Sequence, residues 1–267
     1  GNEALGVNTT GQENTATGYL TLASNTTASY NTAVGTCSLY ANTTGCKNAA
    51  FGWKSGKANT TGIRNVMVGS SSLCGNTTGG ENTAVGYNTL RDNTTGGHNT
   101  AIGNQAMLCN TTGINNVAVG PYTLYDNTTA DRNTAVGYAA MIRNSTGSYN
   151  VALGLCALCA NTTAFRNTAV GSYALGLNTT GADNTATGYE SLYTNTTGAN
   201  NTAYGAYALK SNTTGSNNTA TGHAAVTSNT TGGVNTGVGV YALHQTTTGS
   251  SNTAIGAYAL RKNTTGC

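Results

Sequence analysis

The chain has 267 residues, of which 7% are charged, with a net charge of +3, one proline and seven cysteines. Its few Lys and Arg residues are scattered, so the basic footprint of a nucleic-acid binder is missing. No apolar run approaches the roughly 18 residues of a membrane-spanning helix, so no membrane insertion is expected.

Read in chain order, the sequence is one motif restated. Asparagine falls at 14, 31, 48, 65, 82, 99, 116, 133, 150, 167, 184, 201, 218, 235 and 252, a step of seventeen residues with no insertion. With that asparagine as column 1, Gly1 lies in column 5 and Cys267 in column 16. Residues 1–267 therefore read as a single continuous array that starts and ends in mid-repeat, as expected of a processed piece or fragment of a longer array. A fixed short period is the mark of a stacked architecture.

Within each repeat the constraint varies sharply by column. Column 5 is glycine at all sixteen positions and column 14 is threonine at all sixteen. Column 12 is asparagine except at Thr246, and column 9 is leucine except at Gly56, Met107, Met141 and Val226. Column 3 is alanine except at Met67 and Gly237, column 4 is mostly Val, Ile or Leu, and column 8 is always Ala, Ser or Thr.

Seventeen residues cannot hold the two helices and turn of a helical repeat, which takes about 33. One β-coil fits. The spacing predicts an all-β, parallel β-solenoid (β-roll or β-helix) of about sixteen 17-residue coils, with short strands at columns 1–4 and 6–10 and corners at column 5 and columns 12–15. Stacking at about 4.8 Å would place like on like. The invariant glycine then reads as a corner requiring positive φ or a close backbone approach, at Gly18, Gly35, Gly52, Gly69, Gly86, Gly103, Gly120 and Gly137. Asparagines of columns 1 and 12 can bond the same amide in adjacent coils. Column 9 Leu and column 4 Val are the expected core, and column 3 then faces outward. An outward face kept as small as alanine implies another backbone packed on it, hence self-association, most simply as a trimer.

Sites are sparse. His98, His223 and His244 lie in distant coils, and the eight acids are dispersed. No nucleophile meets a base and no metal ligands cluster, so no catalytic residue, metal site or cofactor is expected. In column 17, Arg64, Glu81 and His98 occupy successive coils, as do Arg166 and Asp183, and are expected to pair across coils at the surface. The NTT triplets begin N-glycosylation acceptors at Asn8, Asn25, Asn42, Asn59, Asn76, Asn93, Asn110, Asn127, Asn144, Asn161, Asn178, Asn195, Asn212, Asn229 and Asn263, with Asn200 and Asn217 as further acceptors. Either these carry sugar, or they form a bare Asn ladder; crowding at about 5 Å spacing favours the ladder. Among the cysteines, Cys37 with Cys46 and Cys156 with Cys159 share coils and are candidate disulfides. Tyrosines in columns 6 and 7, with Trp53, could stack on glycans or fill a contact between chains.

The consensus NTAVGYxALxxNTTGxx resembles the repeats of phage and phage-like tail fibres, and more loosely the NxVAIG-type repeats in the heads of trimeric autotransporter adhesins. The resemblance spans the whole chain. It implies an elongated, usually trimeric β-rich fibre displayed outside a cell or virion, spacing or presenting a binding tip. The expectation is therefore an extracellular, non-enzymatic structural fibre, at a cell or virion surface, whose partner is itself as trimer or filament. The competing expectation is a module that binds ice or glycans through Thr, Asn or Tyr ladders. Columns 13 and 14 point opposite ways beside a glycine corner, and column 2 is interrupted by Ala49, Val66, Val117 and Val151, which weakens any Thr rank for ice.

Overall fold

The computed structural model describes residues 1–267 and contains strands, turns and no helix. It divides into two compact units, Gly1–Arg132 and Asn133–Cys267. The first holds β1 (Thr15–Thr17), β2 (Thr32–Val34), β3 (Ala49–Phe51), β4 (Val66–Val68), β5 (Thr83–Val85), β6 (Thr100–Ile102) and β7 (Val117–Val119). The second holds β8 (Thr134–Val136), β9 (Val151–Leu153), β10 (Thr168–Val170), β11 (Thr185–Thr187), β12 (Thr202–Tyr204), β13 (Thr219–Thr221), β14 (Thr236–Val238) and β15 (Thr253–Ile255). Within each unit every strand pairs in parallel with its sequence neighbour, column on column. This is a parallel β-solenoid with one 17-residue coil per repeat, as the period predicts.

Each coil has one strand, not two, and it covers only columns 2–4. Columns 6–11 form a turn ribbon instead, with left-handed backbone at columns 7 and 9, as at Leu20 and Leu22 (φ 54° and 50°) and at Cys37 and Leu39 (φ 58° and 48°). Left-handed φ costs a branched residue of this kind roughly 1–2 kcal/mol. The compensation lies in the hydrogen bonds, because the two left-handed residues aim their N–H groups in opposite directions along the stack. The N–H of Cys37 donates back to Tyr19 O (2.9 Å), and that of Leu39 donates forward to Ser55 O (2.9 Å). The ribbon thus pairs with both neighbouring coils without being a strand.

The core also differs from expectation at one face. Column 9 leucines are fully buried, as at Leu22, Leu90 and Leu192, but it is column 3 that joins them: Ala33, Ala84, Ala152 and Ala203 are 0% exposed. Column 4 turns outward, with Phe51, Val68, Ile102, Val136 and Leu153 all exposed. The expectation that column 4 fills the core and column 3 meets a partner chain is therefore reversed. A strand of three residues offers a single alternation, and a one-residue change of phase exchanges its faces. The small column 3 side chain is explained from inside: the Leu of column 9 occupies the space opposite it.

Two pairs of exceptions show how tightly these columns interlock. At Gly56 the core lacks its leucine, and Met67, eleven residues on, fills the gap; a Cβ at Gly56 would lie 2.5 Å from Met67 Sδ. At Val226 the branched side chain reaches into the space of the next column 3, which is Gly237; a Cβ there would lie 2.6 Å from Val226 Cγ2. Column 9 of one coil therefore packs on column 3 of the next, and the volumes are exchanged as a pair.

Candidate functional site

Function in this molecule must be sought in the surface that each coil presents to the next, because the recurrent side chains are spent there. Gly18, Gly35, Gly52, Gly69, Gly86, Gly103, Gly120 and Gly137 all have φ between 127° and 139°, a region that essentially only glycine enters. A Cβ at Gly86 would also lie 2.5 Å from Gly103 O in the next coil. These glycines are corners for both of the reasons the sequence suggested.

Two asparagine ladders flank the core. In column 12 the Nδ2 of Asn42 donates to Asn25 Oδ1 in the preceding coil (3.1 Å) and to Gly45 O in its own (2.9 Å). Asn93, Asn161 and Asn212 repeat the arrangement. In column 1 the Oδ1 of Asn31 accepts the Asn48 N–H (2.9 Å), and Asn31 Nδ2 donates to Gly45 O at the far end of its own repeat (3.0 Å). Column 13 hydroxyls add a third rank, as where Thr60 Oγ1 donates to Thr77 O (2.9 Å). Buried amides without partners would cost about 1–3 kcal/mol each, so the ladders are a condition of burying this polar wall.

The ladder leaves no place for sugar at the buried positions of column 12. Asn25, Asn42, Asn59, Asn76, Asn93, Asn110, Asn127, Asn144, Asn161, Asn178, Asn195, Asn212 and Asn229 are all 0% exposed. Asn8 and Asn263, near the two ends, are half-buried. A glycan would occupy the Nδ2 that bridges coils, so glycosylation and the folded ladder exclude each other. The acceptors left at the surface are Asn200 and Asn217.

The one break in column 12 has a visible consequence. Asn229 Oδ1 and Thr246 Oγ1 are both buried without a hydrogen-bond partner. Asn263 Nδ2 turns instead to Asn252 Oδ1 (2.9 Å). Thr246→Asn supplies the missing Nδ2 to Asn229, and we expect it to stabilise the surrounding coils by about 1–2 kcal/mol. Amide hydrogen exchange in residues 229–263 should slow; unchanged or faster exchange would contradict this account of the ladder.

The remaining predicted residues separate. All seven cysteines are free. Cys46 Sγ accepts the Ser29 N–H and donates to Thr44 O (both 3.4 Å), whereas Cys156 and Cys159 border one cavity. The column 17 pairs form as expected: Arg64 to Glu81 (2.7 Å), His98 to Glu81 (3.1 Å) and Arg166 to Asp183 (2.6 Å). The Arg166 guanidinium holds the Asp183 carboxyl below its ordinary range. Such exposed pairs contribute tenths of a kcal/mol, chiefly to register.

One surface feature spans two columns at once. In the second unit Tyr173, Tyr189, Tyr207, His223 and Tyr241 alternate between columns 7 and 6 in five successive coils. Each ring meets the next edge-on, with centroids 6.4, 5.5, 5.7 and 5.5 Å apart, and Tyr258 stacks on Tyr241 at 5.5 Å. Lys210 closes on this ribbon, 2.6 Å from Glu190 and 5.0 Å from the Tyr207 ring centroid. Hydrogen bonds from Lys210 and then Tyr189 hold the Glu190 carboxyl below its usual range, against its partial burial. Only the exchange of columns 6 and 7 between successive coils could have signalled the ribbon in the sequence. No protein-family model, curated protein or solved structure matches the chain.

Proposed function

We propose that the chain is an extracellular structural fibre protein, displayed at a cell or virion surface as a shaft or spacer and associating with copies of itself. The observation that carries this reading is the direction of its bonding: both Asn ladders, the column 13 hydroxyls and the backbone bonds all link coil to coil. Bonds running along a stack resist its extension, which is what a shaft requires. The variable columns carry no recurring chemistry.

Lateral association in this reading uses column 4, since column 3 is core. Val68 and Ile102 are exposed, 37% and 40%, on the uncharged outer face of the first unit's strands. Val68→Lys combined with Ile102→Lys should abolish lateral assembly while leaving circular dichroism unchanged, because neither side chain fills the interior. Sedimentation velocity and negative-stain microscopy provide the test. A wild-type chain that stays monomeric at high concentration, and forms no filament, would sink the fibre reading.

One observation favours the alternative of ice or glycan binding. The outward column 2 carries threonine in six successive coils, Thr168, Thr185, Thr202, Thr219, Thr236 and Thr253, on the strand rather than at the turn that holds columns 13 and 14. Thermal hysteresis in the purified protein would turn the assignment toward ice.

A further inference from the structure

Of the seven thiols, only two share a turn. Cys156 and Cys159, in columns 7 and 10 of one coil, bracket Ala157 and Leu158 in the spacing C-x-x-C. Leu158 is 0% exposed and pins the turn to the core, while both cysteines are half-buried at its outer side. In the next coil the same four columns are closed by a hydrogen bond from Gly176 N–H to Tyr173 O (3.1 Å). Such a turn brings its first and fourth Cα atoms within about 7 Å, the range over which a disulfide can close.

The turn opens on a cavity of about 360 Å³ lined by Ile142, Arg143, Gly176 and Leu177 with the two cysteines. The Cys159 thiol donates to Gly176 O (3.5 Å). Its walls are mainly aliphatic, and its one charge is the exposed Arg143 guanidinium. The space exceeds what two thiols need and fits an organic group attached to sulfur.

We propose that Cys156 and Cys159 form a thiol–disulfide exchange site for small organic disulfides that bear carboxylates. The Cys156 thiol gives its proton to solvent and its sulfur bonds to one sulfur of the disulfide RSSR. The RS–SR bond breaks, and the released RS⁻ takes up a proton. The second half of RSSR is now held on Cys156 within the cavity, its carboxylate against Arg143. Cys159 then loses its proton and attacks Cys156 Sγ, expelling the second RS⁻, which is protonated in turn. The two cysteines are oxidised to one disulfide and RSSR is reduced to two RSH, so the balance needs no further oxidant.

The order of attack follows from the surroundings of the two sulfurs. The Cys159 thiol is already engaged with Gly176 O, and burial, then the hydrogen bond to Cys156, push it above its ordinary value, which leaves Cys156 as the attacking sulfur. Burial likewise raises Cys74 and Cys109, which have no partner thiol on their turns and serve as internal references.

The test uses the reduced, full-length chain with oxidised glutathione, an acidic disulfide, and separately with cystamine, a cationic one. Mass spectrometry should show loss of two hydrogens and peptide mapping a Cys156–Cys159 link, formed about tenfold faster than any adduct at Cys37 or Cys46. Cys159→Ser should stop at a stable mixed disulfide on Cys156, and Cys156→Ser should react slowly or not at all. Arg143→Gln should slow oxidised glutathione about fivefold and leave cystamine unaffected. Adducts spread evenly over the seven cysteines, or a Cys159→Ser variant indistinguishable from wild type, would overturn the site. Equal effects of Arg143→Gln on both disulfides would overturn its preference for carboxylates.

Discussion

Gly86→Val is expected to unfold its part of the first unit, at a cost of about 4 kcal/mol or more. Two independent penalties add at this position. The backbone has φ 139°, which a β-branched residue does not adopt, and its Cβ would lie 2.5 Å from Gly103 O and 2.8 Å from Gly103 C. Neither neighbour is the free end of a side chain; both belong to the next corner, which is built in the same way. In a stacked array the damage should spread to the adjoining coils, because each contacts only its neighbours. Tyr87→Ser, one residue away at a side chain 53% exposed, should change stability by less than about 0.5 kcal/mol. Hydrogen exchange measured across residues 69–120 separates the two. Equal protection in both variants would mean that the corner tolerates a side chain.

The second large effect concerns the exchanged core pair. Met67→Ala alone should cost about 2–5 kcal/mol, because Gly56 provides nothing to close the cavity left behind. Gly56→Leu alone should also destabilise, since its Cβ would meet Met67 Sδ at 2.5 Å and Leu39 Cδ2 at 3.1 Å. Together the two substitutions recreate the Leu and Ala that most coils carry, and stability should return to within about 1 kcal/mol of wild type. A double-mutant cycle by urea denaturation reads the coupling directly. Additive losses would show that column 9 and the following column 3 do not share one space. The left-handed backbone at Gly56 (φ 59°) does not bar leucine, because Leu39 and Leu73 hold the same conformation in their own coils.

Whatever depends on like lying over like is legible in the repeat. Once an unbroken period of seventeen is taken as one coil, every column is its own contact list. Corner glycines, Asn25 over Asn8, Thr60 over Thr77 and Arg166 beside Asp183 all follow from that single step. The buried leucine of column 9 was legible because only the interior demands one large apolar residue so often. Even the Gly56–Met67 and Val226–Gly237 exchanges are present there, since each of the two departures in column 3 follows a departure in column 9 by eleven residues.

Which way the strand faces is settled by packing between coils. Ala84 and Val85 differ by one step of alternation, and three residues are too few to fix its phase; the choice falls to the neighbouring turn, whose leucine fills the interior and leaves room only for alanine. The turn itself was equally hidden. Leu90 at φ 50° carries no mark of left-handed backbone in its identity, for it adopts that conformation to direct its N–H to Ala106 O, a bond that exists only when the next coil is in place. Likewise, Asn42 in an NTT triplet reads equally as a glycan acceptor or a ladder rung, and burial of its Nδ2 between two coils decides for the rung.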